Sequence, residues 1–370
     1  MKKYYDSSDA TCTLVVGCAD SGKNSAYIRP TINNISETSF IAIDRDGEEY
    51  KHFNKKDYDV KILDLVHPQK STRYNPFAYI HNDADVLSMV NSFFTFNING
   101  IKPNSFFDMA ERKLLTAFCF YVLDKYKEQP DKQNFTYINK ILATLHTTDD
   151  FDGFFNDFYK LNEEKPAYYY YKEARRCSSD SFKVVVVSMG LRLSAFNIPQ
   201  IADLTAADNF DIENLGNKKT AVFINIPTSD TFLNFIANMF ITQALLLQQS
   251  IKRNEKEYDV KFILNEFCNI GKIFMLPERM AVLNPVRSGI KIDIIVQSMS
   301  QIDALYINDS GAIINNCDRI ICMGTVNEAD RDFFKTLGLV DVIKMKNNKC
   351  LVLKCKQGQV KYRIAKKIFT

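Results

Sequence analysis

TCTLVVGCADSGKN, residues 11–24, sets the reading of the whole chain. Leu14, Val15 and Val16 form an apolar run that ends at Gly17, and Gly22-Lys23 follow five residues later. A strand, a loop of small residues and a lysine at that spacing are the pattern of a phosphate-binding loop. In such a loop the backbone N–H groups of Cys18, Ala19, Asp20, Ser21, Gly22 and Lys23 turn inward and surround a phosphate with partial positive charge. The amino end of the following helix adds to that field. Gly17 and Gly22 permit backbone angles that a Cβ would block. Lys23 is the expected ammonium for the β- and γ-phosphate oxygens. A chance glycine–lysine turn has the same letters, so support must come from elsewhere in the chain.

The next residue is Asn24, where a phosphate loop usually has a Ser or Thr hydroxyl that ligates magnesium. Magnesium prefers hard oxygen donors in near-octahedral array, which makes Asn24 a weakened magnesium position. A second strand carries the same change. YDVKFILNEF (258–267) places Val260, Phe262, Ile263 and Leu264 ahead of the polar pair Asn265-Glu266. In phosphate-loop hydrolases such a strand ends in Asp-Glu, the Asp ordering magnesium and the Glu orienting the attacking water. Asn265 is uncharged and is the second weakened magnesium position. Glu266 remains as the expected catalytic carboxylate, or alternatively as a simple strand cap. A third strand, IKIDIIVQS (290–298), suits a central position buried on both faces. Its terminal Gln297 lies where open α/β sheets bind ligands, either as a sensor of the γ-phosphate or as an ordinary polar strand end.

The composition is that of a globular protein: 370 residues, 46% hydrophobic, 25% charged, net charge +3. That charge is too small to argue for a nucleic-acid partner by itself. Nine cysteines contain no C-x-x-C pair, and the four histidines (52, 67, 81, 146) are scattered, so a structural zinc site is not expected and the thiols read as reduced. No signal peptide is evident. The longest apolar segment, Phe232 to Leu247, is interrupted by Asn234, Asn238, Thr242 and Gln243, and reads as a core helix instead of a membrane span.

Outward from the loop, the pattern is strand (12–16), helix (23–34), strand (39–47, with Asp44 near its tip and near the expected nucleotide) and short strand (59–65). The period then becomes helical. FFDMAERKLLTAFCFYVLDKY (106–126) puts Met109, Leu114, Ala117, Phe118, Tyr121 and Val122 on one stripe. Helical character continues through Phe135–Leu145, Asp150–Leu161 and Val184–Leu193. Strands return at 220–226, 259–264, 291–297, 318–323 and 350–354. The expectation is an α/β protein: a RecA-like P-loop NTPase sheet built from 1–74 and 206–370, interrupted by an inserted all-α domain at 75–205. The run Tyr168–Tyr171, with Lys172, Arg175 and Arg176, either stacks single-stranded DNA or packs as an aromatic helix face.

RYNPFAYI (73–80), ILNEFCNIGKI (263–273), VRSGIKIDIIVQSMSQIDALY (286–306) and IINNCDRIICMG (313–324) resemble the type IV coupling proteins of bacterial conjugation, the TraG/TraD-like DNA-transfer ATPases. The likeness runs from the phosphate loop to IKMKNNKCLVLKC (343–355). Their Asp-Glu-Phe-x-Asn-x-Gly segment reads Asn265-Glu266-Phe267-Cys268-Asn269-Ile270-Gly271 here. Their Asp-Pro-Lys-Gly reads Asp44-Arg45-Asp46-Gly47. The resemblance implies ATP and magnesium as cofactors, the magnesium held weakly by Asn24 and Asn265. It implies Lys23 on the phosphates, Glu266 as catalytic carboxylate and Gln297 as sensor. Arg287, in the Arg-Ser-x-Gly stretch, is implied as an arginine finger toward a neighbouring subunit, or is a surface ion-pair residue. The implied partners are single-stranded DNA with its relaxase, the type IV secretion channel and further copies of the chain in a hexamer. The implied location is the inner face of the cytoplasmic membrane. Family members usually carry an N-terminal anchor, and this sequence starts about ten residues before its first strand, so attachment through a partner is expected. The two asparagines leave a hydrolysis-deficient adaptor or a remnant as the alternative to a working motor.

Overall fold

The computed structural model describes residues 10–45, 47–95, 106–159, 164–227, 231–283, 285–324, 328–336, 349–356 and 359–366. Asp46, Leu161 and the matched stretch 343–348 lie outside the described residues. The chain divides into two compact units. The first comprises Met1–Ile62, Asp211–Thr231 and Ala244–Thr370, and the second Leu63–Phe210 and Phe232–Gln243.

The first unit is built on a nine-stranded sheet. Its strands are β1 (Cys12–Val16), β2 (Thr38–Arg45), β3 (Asp59–Asp64), β4 (Thr220–Ile226), β5 (Asp259–Leu264), β6 (Ile290–Val296), β7 (Arg319–Met323), β8 (Lys349–Lys356) and β9 (Gln359–Lys366). The order is β3-β4-β2-β5-β6-β1-β7-β8-β9. From β4 to β7 every neighbouring pair is parallel. The residues explain this. β1, β4 and β7 are buried at every position, which suits strands covered on both faces. β8 and β9 are antiparallel, so the parallel sheet ends in a hairpin. Among the expected elements β9 has no counterpart, because QVKYRIAK alternates charge and apolar character without a continuous apolar run.

Chain passing from β1 enters a π-helical turn, Asn24–Ile28, that continues into helix α1 (Arg29–Asn34). Ala26, Tyr27, Ile28 and Ile32 pack there against Val15, Phe40, Ile263, Ile295 and Ile321 of the sheet. Phe40 meets Phe223 edge to face at 5.5 Å and Phe53 at 5.6 Å, the geometry aromatic quadrupoles prefer. A buried ion pair interrupts this core. Asp293, in the middle of β6, accepts from Tyr27 Oη at 2.8 Å and pairs with Lys261 Nζ at 2.7 Å. A buried carboxylate is tolerated only when paired in this way. A short helix, α2 (Glu48–His52), follows β2.

The second unit is helical: α3 (Asp83–Thr95), α4 (Phe106–Lys125), α5 (Phe135–Leu142), α6 (Thr148–Tyr159), α7 (Pro166–Ala174), α8 (Ser179–Arg192), α9 (Pro199–Leu204) and the first part of α10 (Asn234–Ser250). Its core is phenylalanine-rich. Phe93 stacks on Phe135 at 5.4 Å, and Phe118 packs on Phe155 at 5.2 Å. The α4 stripe needs correction. Leu114 to Val122 are all buried, whereas Met109 is exposed along with Phe106 and Phe107. The helix is surrounded over most of its circumference beyond Leu114, so a one-sided pattern understates it. At its buried start Glu111 and Asp108 take Arg192 at 2.6 and 3.3 Å, and Arg112 pairs with Asp108 at 2.9 Å.

Tyr168 and Tyr171 are buried. Tyr171 stacks on Phe155 at 4.2 Å and Tyr170 on Phe120 at 5.7 Å. Of the four, Tyr169 is the exposed one, so the run packs as an aromatic face and offers no platform of successive rings for bases. In RYNPF, Asn75 caps the turn at Phe77 N and donates to Gln133 O at 2.9 Å, and Pro76 O accepts from Gln243 Nε2 at 2.9 Å. That motif is structural in this unit. The interrupting Asn234, Asn238, Thr242 and Gln243 of α10 are all buried. Among the described residues no helix is long and apolar enough to cross a membrane.

Candidate functional site

β1 lies between β6 and β7, and the loop leaves its carboxyl end, the edge at which parallel sheets place ligands. Gly17 N donates to Val296 O at 3.2 Å, which fixes the start of the loop on β6. A Cβ at Gly17 would collide with Ser21 Oγ and come within 2.8 Å of Met323 O, so only glycine fits. Gly22 sits at φ 84° and Asp20 at φ 57°, both left-handed. These angles curl the loop back, with Ser21 N on Cys18 O at 3.2 Å and Ala26 N on Gly22 O at 2.8 Å.

Lys23 is buried inside this curl. Its Nζ donates to the carbonyls of Gly17 and Cys18, the latter at 2.8 Å. Burial pushes its pKa down, and the chief opposing influence is the negative charge of Glu266. Ser21 is 5% exposed and its Oγ has no partner. Asn265, at the end of β5, is 2% exposed and its Oδ1 has none either.

Glu266 follows in the left-handed region at φ 51°, a strained angle for this residue type of the kind that collects at functional sites. Its Oε2 accepts from Asn269 Nδ2 at 3.2 Å and Gln297 Nε2 at 3.4 Å. Its Oε1 lies 3.7 Å from Arg45 Nη1. Gln297 N donates to Gln301 Oε1 at 2.9 Å. Thus Lys23, Glu266, Gln297 and the two unpartnered oxygens gather at one edge of the sheet. Asn24 is exposed.

Two expected positions fall elsewhere. Asp44 is buried, and both of its oxygens accept backbone N–H groups at the start of α2, Glu49 at 2.9 Å and Tyr50 at 2.8 Å. It is a helix cap and not a ligand group. Burial, opposed by those two bonds, raises its pKa to about 6. Arg287 is exposed on the short turn Pro285–Ser288, immediately ahead of β6. Val260 of β5 pairs with Ile290 beside it, so Arg287 sits at the amino ends of the strands. A strand of this length separates it from the loop by roughly 20 Å.

Arg45 escaped the sequence reading. Its letters, at the end of an apolar strand, carry no hint that β2 lies beside β5, and that adjacency alone brings it to Glu266. Tyr27 and Asp293, beneath the loop, escaped for the same reason.

The donor set fits a polyphosphate. A glycine-dependent curl, a buried ammonium and the unpartnered hydroxyl of Ser21 lie where phosphates would bind. It does not fit magnesium, since Asn24 and Asn265 offer neutral amides. Among the described residues no group of three His, Cys, Asp or Glu side chains is placed to hold a metal ion.

The profile described as "Type IV secretory system Conjugative DNA transfer" matches residues 2–347. The chain belongs to that family. Solved structures of similar architecture include the plasmid coupling protein TrwB with the non-hydrolysable ATP analogue ADPNP. It has TM-score 0.73 and 14% identity, covering 95% of this chain and 84% of TrwB. TrwB with ADP and Mg2+ gives TM-score 0.71 at 14% identity, with the same coverage. VirB4 of Thermoanaerobacter pseudethanolicus gives 0.56 at 12% identity, covering 96% of this chain and 88% of VirB4. No similar protein was found among curated sequences. At such identities these likenesses speak for the fold, which is the RecA-like P-loop fold expected from the loop. Membership speaks for type IV conjugative DNA transfer.

Proposed function

We propose that this chain is a coupling protein that binds a nucleoside triphosphate at the 17–23 loop and brings single-stranded DNA with its relaxase to a type IV secretion channel. The observation that carries the reading is the glycine-dependent curl that holds the buried Lys23 at the end of β1, with the Glu266–Gln297 contact at the ends of β5 and β6 on the same edge of the sheet. Lys23 binds phosphate oxygens, Glu266 holds an attacking water, and Gln297 fixes the Glu266 carboxylate from the neighbouring strand. The nucleotide supplies the free energy that such motors convert to movement. Arg287, exposed at the amino ends of the strands, is read here as reaching toward a neighbouring copy's nucleotide in a homo-hexamer, with a surface ion-pair residue as the alternative. The helical segment 75–205 is the inserted domain in this reading. Work at the inner face of the cytoplasmic membrane follows from the same family role.

A second reading is favoured by Asn24 and Asn265: an adaptor that binds nucleotide and docks cargo with little turnover. Losing one charged or ligating group at a transition state commonly lowers rate by about 10²–10³-fold. Steady-state phosphate release, with single-stranded DNA and magnesium, separates the two. The adaptor reading expects Asn24→Thr/Asn265→Asp to exceed the native chain by about 10²-fold or more. Equal rates would establish the native chain as a full motor and remove the adaptor reading.

A further inference from the structure

Resting on the nucleotide-binding reading, we propose that Asp20 is a built-in brake on that site: its carboxylate, carried inside the 17–23 loop, repels the phosphates and holds down the affinity for a nucleoside triphosphate. The starting observation is a mismatch between backbone and side chain. Ser21 N donates to Cys18 O at 3.2 Å, which closes a four-residue turn over Cys18, Ala19, Asp20 and Ser21. Asp20 is the third residue of that turn and sits at φ 57°. A type II turn requires a positive φ at this position and takes glycine or asparagine there. Asparagine has nearly the shape of aspartate and no charge, so the turn itself has no need of the carboxylate.

Other aspartates around the loop strand have structural work. Asp318 accepts from Thr11 N at 2.8 Å, and Asp293 accepts from Tyr27 Oη and pairs with Lys261. Asp20 is exposed, and among the described residues it forms no ion pair. Its position fixes the consequence. A phosphate bound by the loop lies about 4 Å from the nearest main-chain nitrogen, and an aspartate oxygen reaches about 4 Å from its own nitrogen. Whatever its rotamer, the carboxylate then stands within about 8 Å of the phosphates, one Debye length at physiological ionic strength. Its field also reaches the inside of the curl. Burial lowers the pKa of Lys23, and Asp20 is one of the negative charges, after Glu266, that oppose that shift. A charge that favours an ammonium disfavours a polyphosphate beside it. One carboxylate against two or three net negative charges at this range lowers affinity by about tenfold.

The test is isothermal titration calorimetry with ATP and magnesium, at about 50 mM and about 500 mM sodium chloride. The native chain is measured beside Asp20→Asn, Asp20→Gly and Glu257→Gln. Glu257 is an exposed carboxylate just ahead of β5, at the opposite ends of the strands from the loop. The proposal expects Asp20→Asn to bind about tenfold more tightly than the native chain at low salt, the gain falling to about threefold or less at high salt. Glu257→Gln should stay within about twofold of the native chain, which separates a local charge from a change in net charge. Native-like affinity in Asp20→Asn overturns the proposal, and so does a gain of equal size at both salt concentrations. A gain in Asp20→Gly with none in Asp20→Asn also overturns it, assigning the effect to the left-handed angle instead of the charge. Each of these outcomes leaves nucleotide binding itself standing. No heat from the native chain and from Asp20→Asn alike removes the nucleotide reading and this inference together. Melting curves of each variant confirm that any change in affinity belongs to a folded chain.

Discussion

Asn265 is nearly inaccessible and its Oδ1 meets no donor, while Asn24 points to solvent from the end of the loop. The two residues were legible as a paired departure because each stands at a fixed offset from a pattern: one after Gly-Lys, one before Glu. Gly17 was legible for a related reason, since spacing alone demands a residue without a side chain there. Asp44 was not. Its position at a strand tip reads as a ligand, yet the left-handed Gly47 turns the chain so that Glu49 and Tyr50 present N–H groups to it. That assignment has a pH consequence. A carboxyl that ionises near pH 6 when folded and near 3.8 when unfolded holds its proton more tightly in the native state. Its contribution to stability is complete below about pH 4 and is lost as pH rises through 6. Denaturant melts of the native chain and Asp44→Asn should diverge accordingly. From pH 4.5 to 7.5 the native chain should lose about 2 kcal/mol relative to the variant. A pH-independent difference would contradict the cap assignment's electrostatics.

The strands were readable because both faces of each are covered, leaving continuous apolar runs such as TAVFINI and IDIIV. What remained hidden was the single charge within the last of these. Asp293 looks like a flaw in a buried strand until Lys261 of β5 and Tyr27 of the π turn are brought to it. Strand adjacency and the extra residue of a π turn are properties of the assembled sheet, and no local period encodes them. Because Tyr27 lies four residues after Lys23, this pair anchors the turn that carries the loop. Removing one partner leaves a buried charge exposed to its low-dielectric surroundings, at a cost of about 3–5 kcal/mol. Lys261→Met should lose that much stability in a urea melt, and Lys261→Met/Asp293→Leu should recover most of it. Equal losses in the single and double variants would mean that the ion pair is not what holds the turn. On the helical side, α4 misled for the opposite reason. It is buried nearly all round beyond Leu114, and a stripe is only informative when one face stays wet.

At the scale of the molecule, the alternation of strand, helical block and strand was enough to foresee a RecA-like sheet with helices inserted between its strands. The likeness in fold to TrwB over 95% of this chain agrees with that reading. The antiparallel hairpin β8–β9 at the sheet's end lay beyond it, because a terminal hairpin is independent of the βα units that precede it. The account stands on one claim about the whole chain: the folded state binds a polyphosphate that the unfolded state does not. Ligand at about 100 times its dissociation constant then adds about 2.7 kcal/mol to the unfolding free energy, through mass action alone. Thermal melting with saturating ATP, for the native chain and for Lys23→Ala, reads this directly. The account predicts a clear upward shift in the native chain and none in Lys23→Ala. An unshifted native chain, or an equal shift in both, would contradict it.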